Sequence, residues 1–130
     1  MTYAQAQADF LARNQIPESG AGLLEKYQGL IDECTEGYQW DYSEYRNELR
    51  VRDRIARVLA DKSLQQFEEH RAFETAVERL DEAFKALAHK TWQIPTSAPW
   101  WHRVVLTRAG EPYAEFCRTN YGFEMEPIEG

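Results

Sequence analysis

Residues 99–107 read Pro99-Trp100-Trp101-His102-Arg103-Val104-Val105-Leu106-Thr107, and the fold class turns on them. Two tryptophans stand side by side ahead of a run that suits either a helix or a β-strand. As a helix, the stretch stacks Trp100 over Val104 and Trp101 over Val105, two pairs spaced four residues apart. As a strand, it needs a neighbour to take its backbone hydrogen bonds. The rest of the chain is rich in helix signals and shows no evident second strand. The stretch is therefore read as a short helix and the chain as all-α. The expected architecture is an antiparallel helical bundle of about four main helices plus one or two short C-terminal helices. On that reading the tryptophans form a lid that closes one end of the bundle, each indole burying on the order of 150–250 Å². The competing reading leaves one indole outside beside His102, Arg103 and Arg108, a combination enriched at binding hot spots.

Toward the N-terminus the helix signals are dense. Thr2 with Gln5 forms a capping-box pattern that starts a first helix, which ends before Pro17. Ser19 starts a second, with Leu23, Leu24, Tyr27, Leu30, Ile31 and Cys34 on one stripe and Gly37 as its terminator. Asp41 with Glu44 opens a third, carrying Tyr45, Leu49, Val51, Ile55, Val58 and Leu59 as far as a break near Asp61. Ser63 with Gln66 is read as the start of the fourth. Its seam of Phe73, Val77, Leu80, Phe84 and Leu87 steps by four, three, four and three, with Leu64 and Phe67 extending it. Beyond the loop bracketed by Pro95 and Pro99, Tyr113, Phe116, Cys117 and Tyr121 fall at helical spacing. A single domain over 1–130 is expected, with a closing segment at about 97–122 and an acidic tail at 123–130.

The composition narrows the function classes. The chain has 130 residues, 43% of them hydrophobic and 28% charged, and a net charge of -7. No apolar run nears the roughly 20 residues of a membrane span, and the first residues lack the basic start and apolar block of a secretory signal. Cys34 and Cys117 form no close pair, which fits two free thiols in a reducing, cytoplasmic setting, with one long-range disulfide left open. Net acidity counts against nucleic acid as a partner. The charge is uneven, however: residues 85–118 carry a net +3, and the two adjacent tryptophans lie in that zone.

Three features are candidate sites. The Tyr38, Trp40, Tyr42, Tyr45 cluster at a helix junction suits a protein-binding patch, with Trp40 and Tyr38 expected to be exposed; junction packing is the plainer reading. The second is the Trp100, Trp101, His102, Arg103, Arg108 segment. The third is a charged stripe of Arg46, Arg50, Arg54 and Arg57 on one helix face, able to cradle phosphates or to be balanced by acids such as Glu68, Glu74, Glu78 and Asp81. No catalytic residue, metal ligand set or cofactor is assigned. The Glu-x-x-His pattern of di-iron bundles is missing at His70, His89 and His102, and Ser19 to Gly22 lacks the lysine of a phosphate loop. The expectation is a small protein-interaction module, inhibitor-like toward a basic partner. The alternatives are a small-ligand or metal-dependent enzyme lined by His70, Glu74, His89 and His102, or a homo-oligomer, in the simplest case a homodimer, joined through the Phe73 to Leu87 seam.

Overall fold

A computed structural model describes residues 1–129. It corrects the all-α expectation: the described residues are 63% helical, and among them six helices are joined by a small two-stranded antiparallel sheet. The helices are α1 (Tyr3–Arg13), α2 (Gly20–Glu36), α3 (Tyr42–Ala60), the single turn α4 (Lys62–Gln65), α5 (His70–Lys85) and α6 (Glu111–Tyr121). Strands β1 (Ala88–Gln93) and β2 (Val104–Leu106) lie between α5 and α6.

The decisive stretch is a strand after all. Trp100–His102 makes a turn of 3-10 helix, and the chain then extends through Val104–Leu106. The missing neighbour is β1, which pairs Ala88 with Leu106 and Gln93 with Val104 across an irregular register. β1 reads Ala-His-Lys-Thr-Trp-Gln and is only partly buried. It therefore has little of the apolar alternation by which a strand is recognised. The irregularity is a bulge, which leaves backbone groups off the ladder. The His89 ring supplies their partner, its Nδ1 accepting the N–H of Thr91 at 3.1 Å and of Trp92 at 3.0 Å.

The caps formed largely where the sequence places them. Thr2 and Gln5 form the complete box, and Ser19 and Asp41 each accept a backbone N–H at the start of their helices. The exception is Ser63. Asp61 is the cap there, with Oδ2 accepting from Leu64 N at 3.0 Å. The expected long fourth helix is broken into α4 and α5 by a turn.

In the core, α2 packs against both α3 and α5. The seam residues Phe73, Val77 and Phe84 are buried there, inside the chain. A polar tie crosses the same three helices. Asp81 on α5 accepts Tyr27 Oη from α2 at 2.7 Å and two guanidinium N–H groups of Arg52 on α3, at 2.9 and 3.0 Å. Arg52 is 5% exposed, which sets its guanidinium inside the protein. Such a group is tolerated only with a matched partner. The Trp101 ring lies 4.0 Å from its guanidinium carbon and covers it. Against α3, α6 brings Tyr113 and Phe116 into a nest of rings with Tyr38, Tyr42 and Tyr45, and Tyr42 stacks on Phe116 at 4.2 Å.

The tail also has a place. Ile128 N–H bonds to Ala109 O at 2.9 Å, and Met125 is buried. Its path runs over Gly37, where φ is +118° and a Cβ would overlap the Ile128 side chain. Glycine is required at this position on both counts.

Candidate functional site

Two of the three candidate clusters are partly tied into the fold. Trp101 is 7% exposed and donates its indole N–H to Asp53 Oδ1 at 2.9 Å. His102 Nε2 meets the same carboxylate oxygen at 2.6 Å. Asp53 thus pins the turn before β2 to the middle of α3. Trp100 is half-buried, while Arg103 and Arg108 are exposed. The lid reading therefore describes Trp101, now as part of a turn rather than of a helix.

The arginine stripe is divided. Arg54 holds Glu18 with two bonds, at 3.1 and 2.7 Å, and Arg57 reaches Asn14 Oδ1 at 2.8 Å. Arg46 and Arg50 stay exposed, beside a concavity that also contains Phe116. Of the four acids expected to balance the stripe, Asp81 is taken by Arg52, which lies off that face.

The aromatic junction is different. Tyr38, Tyr42 and Tyr45 are buried, which corrects the expected exposure of Tyr38. Trp40 is 59% exposed, and among the described residues it is the one large aromatic side chain so open to water. Its position follows from a backbone strap. Tyr38 N–H bonds to Arg108 O at 3.0 Å, and Gly110 N–H returns to Tyr38 O at 2.6 Å. A Cβ on Gly110 would press on the side-chain amide of Gln39 and lie 3.5 Å from the Gln39 Cα, so the two segments lie close together. The strap holds residue 38 inside and delivers residue 40 to the surface, just before Asp41 caps α3.

The ground around Trp40 is acidic. It forms a concavity of about 580 Å³ with Asp41, Ser43, Glu44 and Glu48. Glu48 accepts a hydrogen bond from Tyr38 Oη. Partial burial, a hydrogen bond with Glu48 and the nearby charges of Glu48 and Glu44 push the Glu33 carboxyl up to about 7. Burial and neighbouring carboxylates both oppose ionisation, so Glu33 keeps its proton to higher pH than an isolated glutamate. Hydrogen bonding to Glu48 was invisible in the sequence, because it requires α2, the strap and α3 to meet; only the composition of residues 38–45 marked the area.

The catalytic alternatives gain little from the geometry. Burial pushes the Cys34 thiol up to about 12 and the Cys117 thiol up to about 11. Both are therefore protonated and unreactive near neutral pH. His70 and Glu74 line one depression, while His89 and His102 line two others, so the four do not form one pocket. Among the described residues, no group of three His, Cys, Asp or Glu side chains is arranged to hold a metal ion. No helix in the described residues is long and apolar enough to cross a membrane. Comparison with known protein families, curated proteins and solved structures finds no match.

Proposed function

We propose that this chain is a protein-interaction module that holds a basic partner on the acidic surface around Trp40. The observation that carries the reading is the exposed indole itself, set among Asp41, Glu44 and Glu48. Leaving a large apolar ring in water is unfavourable unless something covers it, and tryptophan is the residue type most enriched at the centre of interfaces. The carboxylates around it supply the complementary field that attracts and orients a cationic protein. An inhibitor of a basic enzyme or toxin is the kind of protein this describes. Two buried free thiols support a reducing compartment, so the cytoplasm is the proposed location.

The test is affinity capture on the full chain and on its Trp40→Ala variant in parallel. A basic protein should be retained by the wild type, released as salt rises, and bound at least about thirtyfold more weakly by the variant, the loss typical of a hot-spot aromatic. A partner held equally by Trp40→Ala, an acidic partner, or no partner at all would overturn the proposal.

A further inference from the structure

The β1–β2 hairpin carries a second concave site that shares no lining residue with the Trp40 surface. It is a pocket of about 270 Å³ between the end of α5 and the hairpin, with Lys85, His89, Trp92, Trp100 and Arg103 in its wall. The charged groups in that wall are Lys85 and Arg103, both cations, in a chain whose net charge is -7. Lys85 has only a loose pairing with exposed Glu82, at 3.6 Å. Among the described residues, no ion pair engages Arg103.

The wall also has an imidazole and two indoles. His89 Nδ1 already accepts two backbone N–H groups, so the neutral ring carries its hydrogen on Nε2. That Nε2–H is a donor with its direction set by the bulge. The His89 ring lies flat on Trp92 at 4.1 Å, with 9° between the planes, and Phe123 stacks on the same indole at 5.2 Å, so Trp92 is already flanked by two rings. Lys85 Nζ stands 4.7 Å from the centre of the Trp100 ring. An anion drawn to that ammonium brings whatever it is attached to against an indole.

The geometry points to a free mononucleotide as the ligand, one planar base bearing one phosphate. A phosphate monoester carries close to two negative charges at neutral pH, which two cations match. Trp100 supplies an indole on which any nucleobase can stack once the Lys85 ammonium turns to the phosphate. The volume lies just under the roughly 300–1,000 Å³ of pockets that enclose drug-sized ligands, so it has room for one ring with its phosphate and for no long chain. A nucleic-acid strand is the wrong source of the same chemistry, because a polyanion is repelled by the acidic molecule around this small basic area.

The site is tested on the full chain by nuclear magnetic resonance, following the indole N–H signals of Trp92 and Trp100. Adenosine 5′-monophosphate should shift both signals saturably. Adenosine alone and inorganic phosphate alone should each bind at least about tenfold more weakly, since each lacks half of the recognition. Lys85→Gln and Arg103→Gln should each weaken the mononucleotide by about tenfold, the scale of a lost charge-assisted hydrogen bond, while Arg50→Gln leaves it unchanged. Both substituted positions are exposed, and the same spectra show that each variant is folded. No saturable shift at millimolar mononucleotide, equal binding of adenosine, or tighter binding of a short oligothymidylate would overturn the inference. Capture of a protein at Trp40 bears on none of these outcomes, so the two proposals stand or fall separately.

Discussion

Trp40 and Trp101 are the same side chain on either hand of α3, and they meet opposite surroundings. Trp101 crosses the middle of the helix, covers the Arg52 guanidinium and donates its N–H to Asp53. Trp40 stands ahead of the helix with most of its ring in water and carboxylates around it. Both belong to segments where aromatic and charged residues are mixed, and composition does not tell them apart. The distinction comes from the partner each finds across the fold. A buried arginine needs a cover, and Trp101 provides one; Trp40 has no such duty, which leaves it free to serve an interface.

That contrast is broken most directly at Trp101. Trp101→Ala removes a buried indole, opens a cavity and admits water to Arg52. The expected loss of stability is about 3–5 kcal/mol, the range for large aromatic truncations in a core. Urea unfolding measures it, and a loss under about 1 kcal/mol would place Trp101 on the surface with Trp40.

Gly37 tests the structure that presents Trp40. Its φ of +118° is strained for any residue with a Cβ, and the added carbon would overlap Ile128. Gly37→Ala should therefore cost about 2 kcal/mol, combining the backbone penalty with displacement of the tail. Measured against the same truncation of the wild type, removing residues 123–130 from that variant should return only the smaller share due to Ile128. Full recovery would mean that the backbone conformation at residue 37 carries no strain.

Trp40→Ala is the counterpart of the Trp101 change. Because its ring is mostly solvated, folding stability should move by no more than about 0.5 kcal/mol, while capture of a basic partner is lost. A thermal shift assay on the same preparation gives the first number. A strongly destabilised variant would show that the indole packs on its own chain and would remove the main support for the docking surface.

The N-terminal two thirds of the fold were legible because their signals are local. Caps such as Thr2, Ser19 and Asp41 bond to atoms three residues away, and the apolar stripes of α2 and α5 repeat within a few turns. The C-terminal third depends on distant partners. β2 is a strand only because β1 lies beside it, and β1 has neither apolar alternation nor β-branched bulk beyond Thr91. Nothing near Ile128 announces that it will cover Gly37. The candidate site divides in the same way. Trp40 was found from composition, but Tyr38 was misplaced, because its hydroxyl reaches Glu48 only after the strap at residues 108–110 has drawn it inward. Likewise Arg52 was passed over in favour of the regular stripe beside it, since its partner Asp81 lies on another helix.

The smallest expected effect concerns the acids beside Trp40, and it has a definite sign. The Glu33 carboxyl is raised from its ordinary value of 4.5 to about 7 in the folded chain by partial burial, the Glu48 hydrogen bond and the charges of Glu48 and Glu44. Folding therefore takes up a proton in the interval between those two values. The destabilising term is absent below about pH 4.5 and complete above about 7, so its contribution makes stability fall as pH rises across that window. Glu33 is solvent-exposed over much of its surface, so screening trims both the shift and its effect on stability. Comparison of wild type with Glu33→Gln isolates it, since the amide cannot ionise and its difference from wild type should change only within that window. The Trp101 side of the molecule supplies the control: Trp101→Phe should leave this pH-dependent difference intact. A cationic partner docked at Trp40 should draw the proton out, so binding near pH 6 should release protons to the buffer, and calorimetry in buffers of different ionisation enthalpy would detect them. Binding without proton release would separate the docking surface from Glu33 and confine it to Asp41, Glu44 and Glu48.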